Sequence, residues 1–205
     1  MKINRLPVFT QEVFYFKMPN FNDYQEQIKQ IVLVENNKNI HNHTTSPKEQ
    51  CNVMAKRTAW NSHERYNILH LICDEIKENI QFFVKEEGYD IPKINVKDCW
   101  LNWYNKNHYS QPHYHGNDLS VILFVDVEDS DSEVFFHADN SAVFVKKTES
   151  NSNFSNIKKV NVKNGDVIFF DGNVYHSVSP NTSDNMRITM AINFSVYYDQ
   201  ERNEY

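Results

Sequence analysis

The chain has 205 residues, enough for one domain with a sizeable core. Its formal net charge of -6, with no lysine–arginine cluster along one face, argues against a nucleic-acid partner held by charge. No apolar run approaches the roughly 18 residues of a membrane helix, Cys51, Cys73 and Cys99 lie far apart without metal-ligand spacing, and the N-terminal MKINRLPVFTQEVFYF has neither an apolar stretch nor a small-residue cleavage site, so a soluble, cytoplasmic protein is expected.

Residues 1–18 alternate weakly through Val8, Phe9, Val13 and Tyr15 and suggest an edge strand. Asn22 or Asp23 can cap a first helix, in which Tyr24, Ile28, Ile31 and Val32 recur at helical spacing until Glu35. The stretch 35–52 is polar and irregular and reads as a loop. Asn61 and Glu64 form a capping-box signal for a second helix. Its stripe is Leu69, Ile72, Ile76, Ile80 and Phe83, the pattern of a helix packed on a sheet, and Gly88 marks its end.

From residue 94 the period changes to two. Trp100, Asn102 and Tyr104 fall on one face of a strand, with Leu101 and Trp103 on the other. Further strands are expected at 119–127, 132–138, 141–147, 157–163, 166–171, 174–179 and 186–198. Asn164-Gly165 is a hairpin signal between two of them. Many short strands with no helical pattern between them predict a mainly β fold with N-terminal helices, a jelly roll carrying two helices on its side. We divide the single domain 1–205 into helical support over 1–92 and a β core over 93–198.

His113 and His115 stand two residues apart before the apolar run at 119–127, so both imidazoles can meet one ion. A jelly roll brings early and late strands side by side, which lets His176 supply a third ligand. Three protein ligands leave positions open for substrate and dioxygen, the arrangement of non-heme iron oxygenases. The usual triad contains a carboxylate; here that place falls to His115 or to nearby Asp118. The H-x-H spacing alone is unspecific, because His41 and His43 share it in an asparagine-rich loop that reads as solvated. Arg187 follows His176 across a polar turn, and hairpin geometry would set the two strands side by side. Its planar fork suits a carboxylate, with the Thr189 hydroxyl on the same face; the bland reading is a surface arginine paired with Asp184. His137 reads as a strand histidine outside the site.

Trp100, Asn102 and Tyr104, then P-H-x-H, L-S-x-x-x-F, G-D-V-I-F-F-D, H-x-V-x-P-N-x-S and R-I-T make an ordered series over roughly residues 99–197 that resembles the 2-oxoglutarate and Fe(II)-dependent oxygenases. It is most similar to the small group of phage and bacterial proteins with an H-x-H metal motif, and more distantly to prolyl 4-hydroxylases. Trp60-Asn61-Ser62 also resembles that group. The resemblance implies a double-stranded β-helix with Fe(II) held by His113, His115 and His176. It further implies 2-oxoglutarate held by Arg187 and Thr189, with Tyr104 and Asn102 in the pocket. It implies a hydroxylase acting on a small-molecule or protein substrate, with succinate and CO2 as co-products. Leu123-Phe124 departs from the pattern, since Phe124 has no hydroxyl to offer the co-substrate. Two rival readings are a cupin-like three-histidine metalloprotein that does not use 2-oxoglutarate, and a non-catalytic jelly-roll module of a viral particle. The first leaves Arg187 without a task.

Overall fold

The computed structural model describes residues 12–38, 53–88, 93–127, 133–137 and 157–197. Within them, alternation along the strands produces two sheet faces with different work to do. In β4 (Lys93–Tyr104), Cys99, Leu101 and Trp103 point into a core under the helices, whereas Trp100, Asn102 and Tyr104 point the other way. β11 (Arg187–Tyr197) repeats the division, with Ile188, Met190, Ile192 and Phe194 on the helix side. A residue's parity therefore decides whether it serves packing or the site.

The remaining strands are β1 (Val13–Lys17), β2 (Val53–Met54), β3 (Lys56–Arg57), β5 (Tyr109–His113), β6 (Leu119–Asp126), β7 (Glu133–His137), β8 (Ile157–Asn161), β9 (Asp166–Asp171) and β10 (His176–Val178). They form a six-stranded sheet of order β1-β9-β6-β11-β4-β3 and a five-stranded sheet of order β2-β5-β10-β7-β8. The strand pairs are antiparallel, and the two sheets make the expected jelly roll. Ile122, Phe124, Val134, Phe136, Ile168, Phe170 and Val174 fill one of its two apolar cores.

The outer face of the six-stranded sheet is covered by α1 (Phe21–Asn37) and α3 (Asn67–Glu86). Ile28 and Val32 from α1 and Leu69, Ile72, Ile76 and Ile80 from α3 are buried there against the odd-parity residues of β4 and the even-parity residues of β11. Burial of each such side chain is worth about 1.5–3 kcal/mol, which is what holds the helices in place. Trp103 adds a polar tie, its indole N–H donating to Asn36 Oδ1 of α1 at 3.1 Å.

Several expectations change in detail. α1 starts at Phe21 with Asn20 as its cap residue, ahead of Asn22 and Asp23, because buried Phe21 anchors the first turn under Gly165. It runs past Glu35, which is buried and accepts from the Tyr66 hydroxyl. The second helix is two: α2 (Ser62–Arg65) ends where Tyr66 is extended, and α3 follows. Asn61 and Glu64 do pair, side chain to side chain at 2.8 Å, without capping a backbone N–H. β5 lies between the expected strands, and it pairs with β10 and β2 although Pro112 and the polar residues around it blur its alternation.

Two expected hairpins do not form. Asn164-Gly165 joins β8 to β9, which lie in different sheets; Gly165 has φ +80° and its N–H donates to Phe124 O at 2.7 Å, so the turn carries the chain across the core. Likewise β10 and β11 are not neighbours. β10 pairs with β5 and β7, and β11 with β4 and β6, so His176 and Arg187 lie on opposing sheets. In a jelly roll the chain alternates between layers, and a polar turn is equally suited to changing sheet. The loop histidines His41 and His43 and the strand expected at 141–147 lie outside the described residues.

Candidate metal centre

His113 and His176 are direct partners in the β5–β10 ladder, and His115 lies just beyond the end of β5. The loop that carries His115 is pinned by backbone bonds from His115 N and Gly116 N to Gly172 O, at 2.9 and 3.2 Å. Gly172 is required for that approach, because a Cβ there would sit 2.0 Å from Asn117 O. The result brings one ligand nitrogen from each of His113, His115 and His176 within 4.8 Å of one another. Ring centroids stand 4.4 Å apart for His113–His176, 5.1 Å for His115–His176 and 5.2 Å for His113–His115.

The hydrogen bonds decide which nitrogens face inward. His113 Nδ1 lies 2.7 Å from Gln111 O, and His176 Nδ1 lies 3.0 Å from Val174 O. Carbonyls only accept, so both rings carry their proton on Nδ1 and leave an Nε2 lone pair free. His115 Nδ1 meets Asn193 Oδ1 at 2.8 Å, which does the same for the third ring. Burial keeps all three rings neutral by disfavouring the imidazolium. His113 is lowered to about 4 and His176 to about 3, where the neighbouring imidazoles add to the effect. His115 is also lowered by burial, partly opposed by the Asn193 bond and the charge of Asp98. Three neutral imidazoles with converging lone pairs are a fit donor set for a divalent transition metal. Asp118 is occupied elsewhere, its carboxylate accepting from Val196 N at 2.9 Å.

The register of the six-stranded sheet lays the other candidates out in rows facing this group. Asp98, Asn193, Ser120 and Phe170 are consecutive cross-strand partners. Asn193 in this row holds His115, and the Phe170 ring contacts His176 at 4.9 Å. The buried Ser120 hydroxyl in the same row has no hydrogen-bond partner among the described residues. The next row holds Trp100 and Ala191; Trp100 stacks on His115 at 5.8 Å and donates to Asn102 Oδ1 at 3.1 Å. Then come Arg57, Asn102, Thr189 and Phe124, and finally Tyr104 and Arg187.

Arg187 is 4% exposed, so it is no surface arginine, and Asp184 pairs instead with Lys106 at 2.8 Å. Its guanidinium lies 4.4 Å from the Tyr104 ring centroid and donates through an Nη atom to Ser179 O at 2.9 Å. Thr189, Asn102 and Tyr104 are buried beside it. His137 stays outside, its Nε2 2.8 Å from Ser177 Oγ. Sequence reasoning missed the roles of Asn193, Asp98 and Gly172. For Asn193 a signal existed, since it continues the polar parity of Arg187 and Thr189.

Residues 98–193 match the family described as "Putative 2OG-Fe(II) oxygenase", so the resemblance drawn from the motifs holds over this stretch, and the expected cofactors, Fe(II) and 2-oxoglutarate, are those the family is described by. The fold is similar to a prolyl hydroxylase from Trichoplax adhaerens in complex with a hypoxia inducible factor peptide. There the TM-score is 0.63 at 11% identity, over 91% of this chain and 84% of that one. A prolyl-4-hydroxylase from Pseudomonas putida gives 0.57 at 14% identity, over 91% and 93%. HygX from Streptomyces hygroscopicus, with nickel, 2-oxoglutarate and hygromycin B bound, gives 0.58 at 8% identity, over 91% and 83%. At these identities the likeness is one of fold. No curated protein sequence matches the chain significantly. No helix among the described residues is long and apolar enough to cross a membrane.

Proposed function

We propose that the chain is a 2-oxoglutarate- and Fe(II)-dependent dioxygenase that hydroxylates a small molecule or a protein side chain. The observation that carries this reading is the convergence of His113, His115 and His176, each with Nδ1 committed and Nε2 free, opposite a sheet that buries Arg187. His113, His115 and His176 hold the iron. Arg187 binds the distal carboxylate of 2-oxoglutarate with Thr189 beside it, and Tyr104 and Asn102 wall the acid's pocket. When bound, iron, 2-oxoglutarate and dioxygen supply oxidative decarboxylation to succinate and CO2, coupled to insertion of oxygen into a substrate C–H bond.

The protein's own contribution is orientation and dryness. Tyr104 stacked under Arg187 limits the tilt of its planar fork, and the Ser179 carbonyl fixes one of its nitrogens. Phe124, paired with Thr189, excludes water from that row without offering a donor. Binding of the acid therefore rests on Arg187, Thr189 and Tyr104. The Phe170 ring, edge-on to His176 at 4.9 Å, and the tilted Phe136 ring at 6.2 Å line the metal site on the apolar side.

The test is anaerobic reconstitution with Fe(II), then addition of 2-oxoglutarate and oxygen with and without a cell lysate. Succinate is the expected product, increased by substrate in the lysate. Metal binding with no succinate under any condition would move the protein to the cupin-like reading.

A further inference from the structure

The three ligands are not held in the same way. His113 and His176 are oriented by backbone carbonyls of their own strand neighbourhood, Gln111 O and Val174 O. His115, which stands where a carboxylate ligand is usual, is oriented by a side chain from the opposite sheet. Its Nδ1–H donates to Asn193 Oδ1 at 2.8 Å, and Asn193 Nδ2 donates to Asp98 Oδ2 at 3.3 Å. The order of this chain is forced. A carboxylate can only accept, so it draws the NH2 end of the Asn193 amide and turns the carbonyl end toward His115. That carbonyl can only accept in turn, which puts the His115 proton on Nδ1 and the lone pair on Nε2.

The sheet is shaped to place this amide. Asn193 is 5% exposed and lies directly across from Asp98 in the β11–β4 ladder, and the ladder shifts register immediately after it, between Asn193 and Phe194. Irregularities of this kind re-aim a side chain at the point where they occur. On the other flank Trp100 stacks on the His115 ring at 5.8 Å, leaving the imidazole little freedom to rotate.

We infer that Asp98 and Asn193 form a positioning relay that makes His115 competent in the place of a carboxylate ligand. The relay presents Nε2 to the ion and sets a negative charge behind the ring, replacing part of the charge that an aspartate would have brought directly. The inference rests on the reading of His113, His115 and His176 as a metal site. It concerns how the site is held, not which reaction it serves.

The experiment uses Co(II) as probe, titrated anaerobically into the full chain and followed by visible absorption, alongside nitrogen-15 NMR of the histidine rings in metal-free protein. The wild type should show His115 protonated on Nδ1. Asn193→Ala should weaken Co(II) binding about ten- to a hundredfold, and Asp98→Asn should fall at the lower end of that range. The exchange Asp98→Asn with Asn193→Asp retains the hydrogen-bond sequence and moves the carboxylate onto Nδ1; it should restore the wild-type affinity. The inference is overturned if His115 carries its proton on Nε2, if both single variants bind Co(II) as wild type does, or if His115→Ala costs no affinity. Should Asn193→Ala fail to fold by circular dichroism, the ring NMR of the wild type and the exchange variant decide. Wild-type protein with the expected tautomer and Co(II) affinity, but no succinate formation, supports the relay while defeating the oxygenase reading.

Discussion

The six-stranded sheet is packed on both faces, by α1 and α3 outside and by the opposing sheet inside, and its strands β4 and β11 run for 12 and 11 residues. The five-stranded sheet is made of strands of two to five residues, and beside its converging histidines Tyr114 and Tyr175 are exposed. The first places Arg187, Thr189, Asn102 and Tyr104 by register, because a long strand buried on both sides cannot slip. The second positions His113 and His176 by one ladder pair and by local bonds to carbonyls. The side expected to bind the acid is thus built into the core, while the metal side is assembled from short pieces tied by individual hydrogen bonds. Damage should therefore divide by face, with changes on the helix side of the long sheet costing stability, and changes in the short sheet, or at Asn193 and Asp98 on the inner face of the long one, costing metal.

The sharpest break is His176→Ala. It should lower affinity for Co(II) or Fe(II) by at least about a hundredfold, with the metal-free melting temperature unchanged or raised, since a buried imidazole without its metal contributes little to packing. A variant that keeps wild-type metal affinity would remove His176 from the site. Leu69→Ala, in α3 under the six-stranded sheet, should do the opposite. Loss of a fully buried leucine should cost about 2–5 kcal/mol in urea unfolding, while the folded protein still binds metal as before. Coupled loss of metal affinity would show that the two faces do not divide the work.

A smaller effect sharpens the division within the site. Arg187→Lys retains a cation but loses the planar fork over Tyr104, and it should weaken 2-oxoglutarate binding about tenfold or more. Co(II) affinity should change by less than about twofold. Calorimetric titration of both ligands reads this, and equal losses for metal and acid would assign Arg187 a merely structural task. The last check is on pH. His113 at about 4 and His176 at about 3 lie below the unfolded value of about 6.5. The unfolded chain therefore takes up protons that the folded, metal-free protein refuses. Stability is level above about pH 6.5 and falls as the pH drops from there toward the folded values. Melting temperatures between about pH 8 and pH 5 should show the decline, and His176→Gln should flatten it; a flat wild-type profile would contradict the neutral, buried rings.

Much of this was readable in the residues themselves. Parity along 99–104 and 186–194 separates core from pocket without any structure, because side chains on a strand alternate by geometry. The helical stripe of α3 is equally plain. Partnership was not readable. Asn164-Gly165 and the turn between His176 and Arg187 both looked like hairpins, yet each carries the chain from one sheet to the other, since a tight polar turn does not specify which strand comes next to which. β5 was hidden by Pro112 and its polar neighbours, and it earns its place only through β10. Gly172 gave no sign that Asn117 O would press against it.

The sequence by itself determined the periodicities, the two apolar faces and the set of residue types able to hold a metal and an acid, because these follow from chemistry and spacing along one chain. Only the tertiary structure decided that Asp118 bonds to Val196, that His115 converges with His113 and His176, and that Asn193 and Asp98 stand behind it. Those outcomes depend on contacts between residues 78 and 95 positions apart. No local pattern encodes such pairings; they come from how two sheets close on one another.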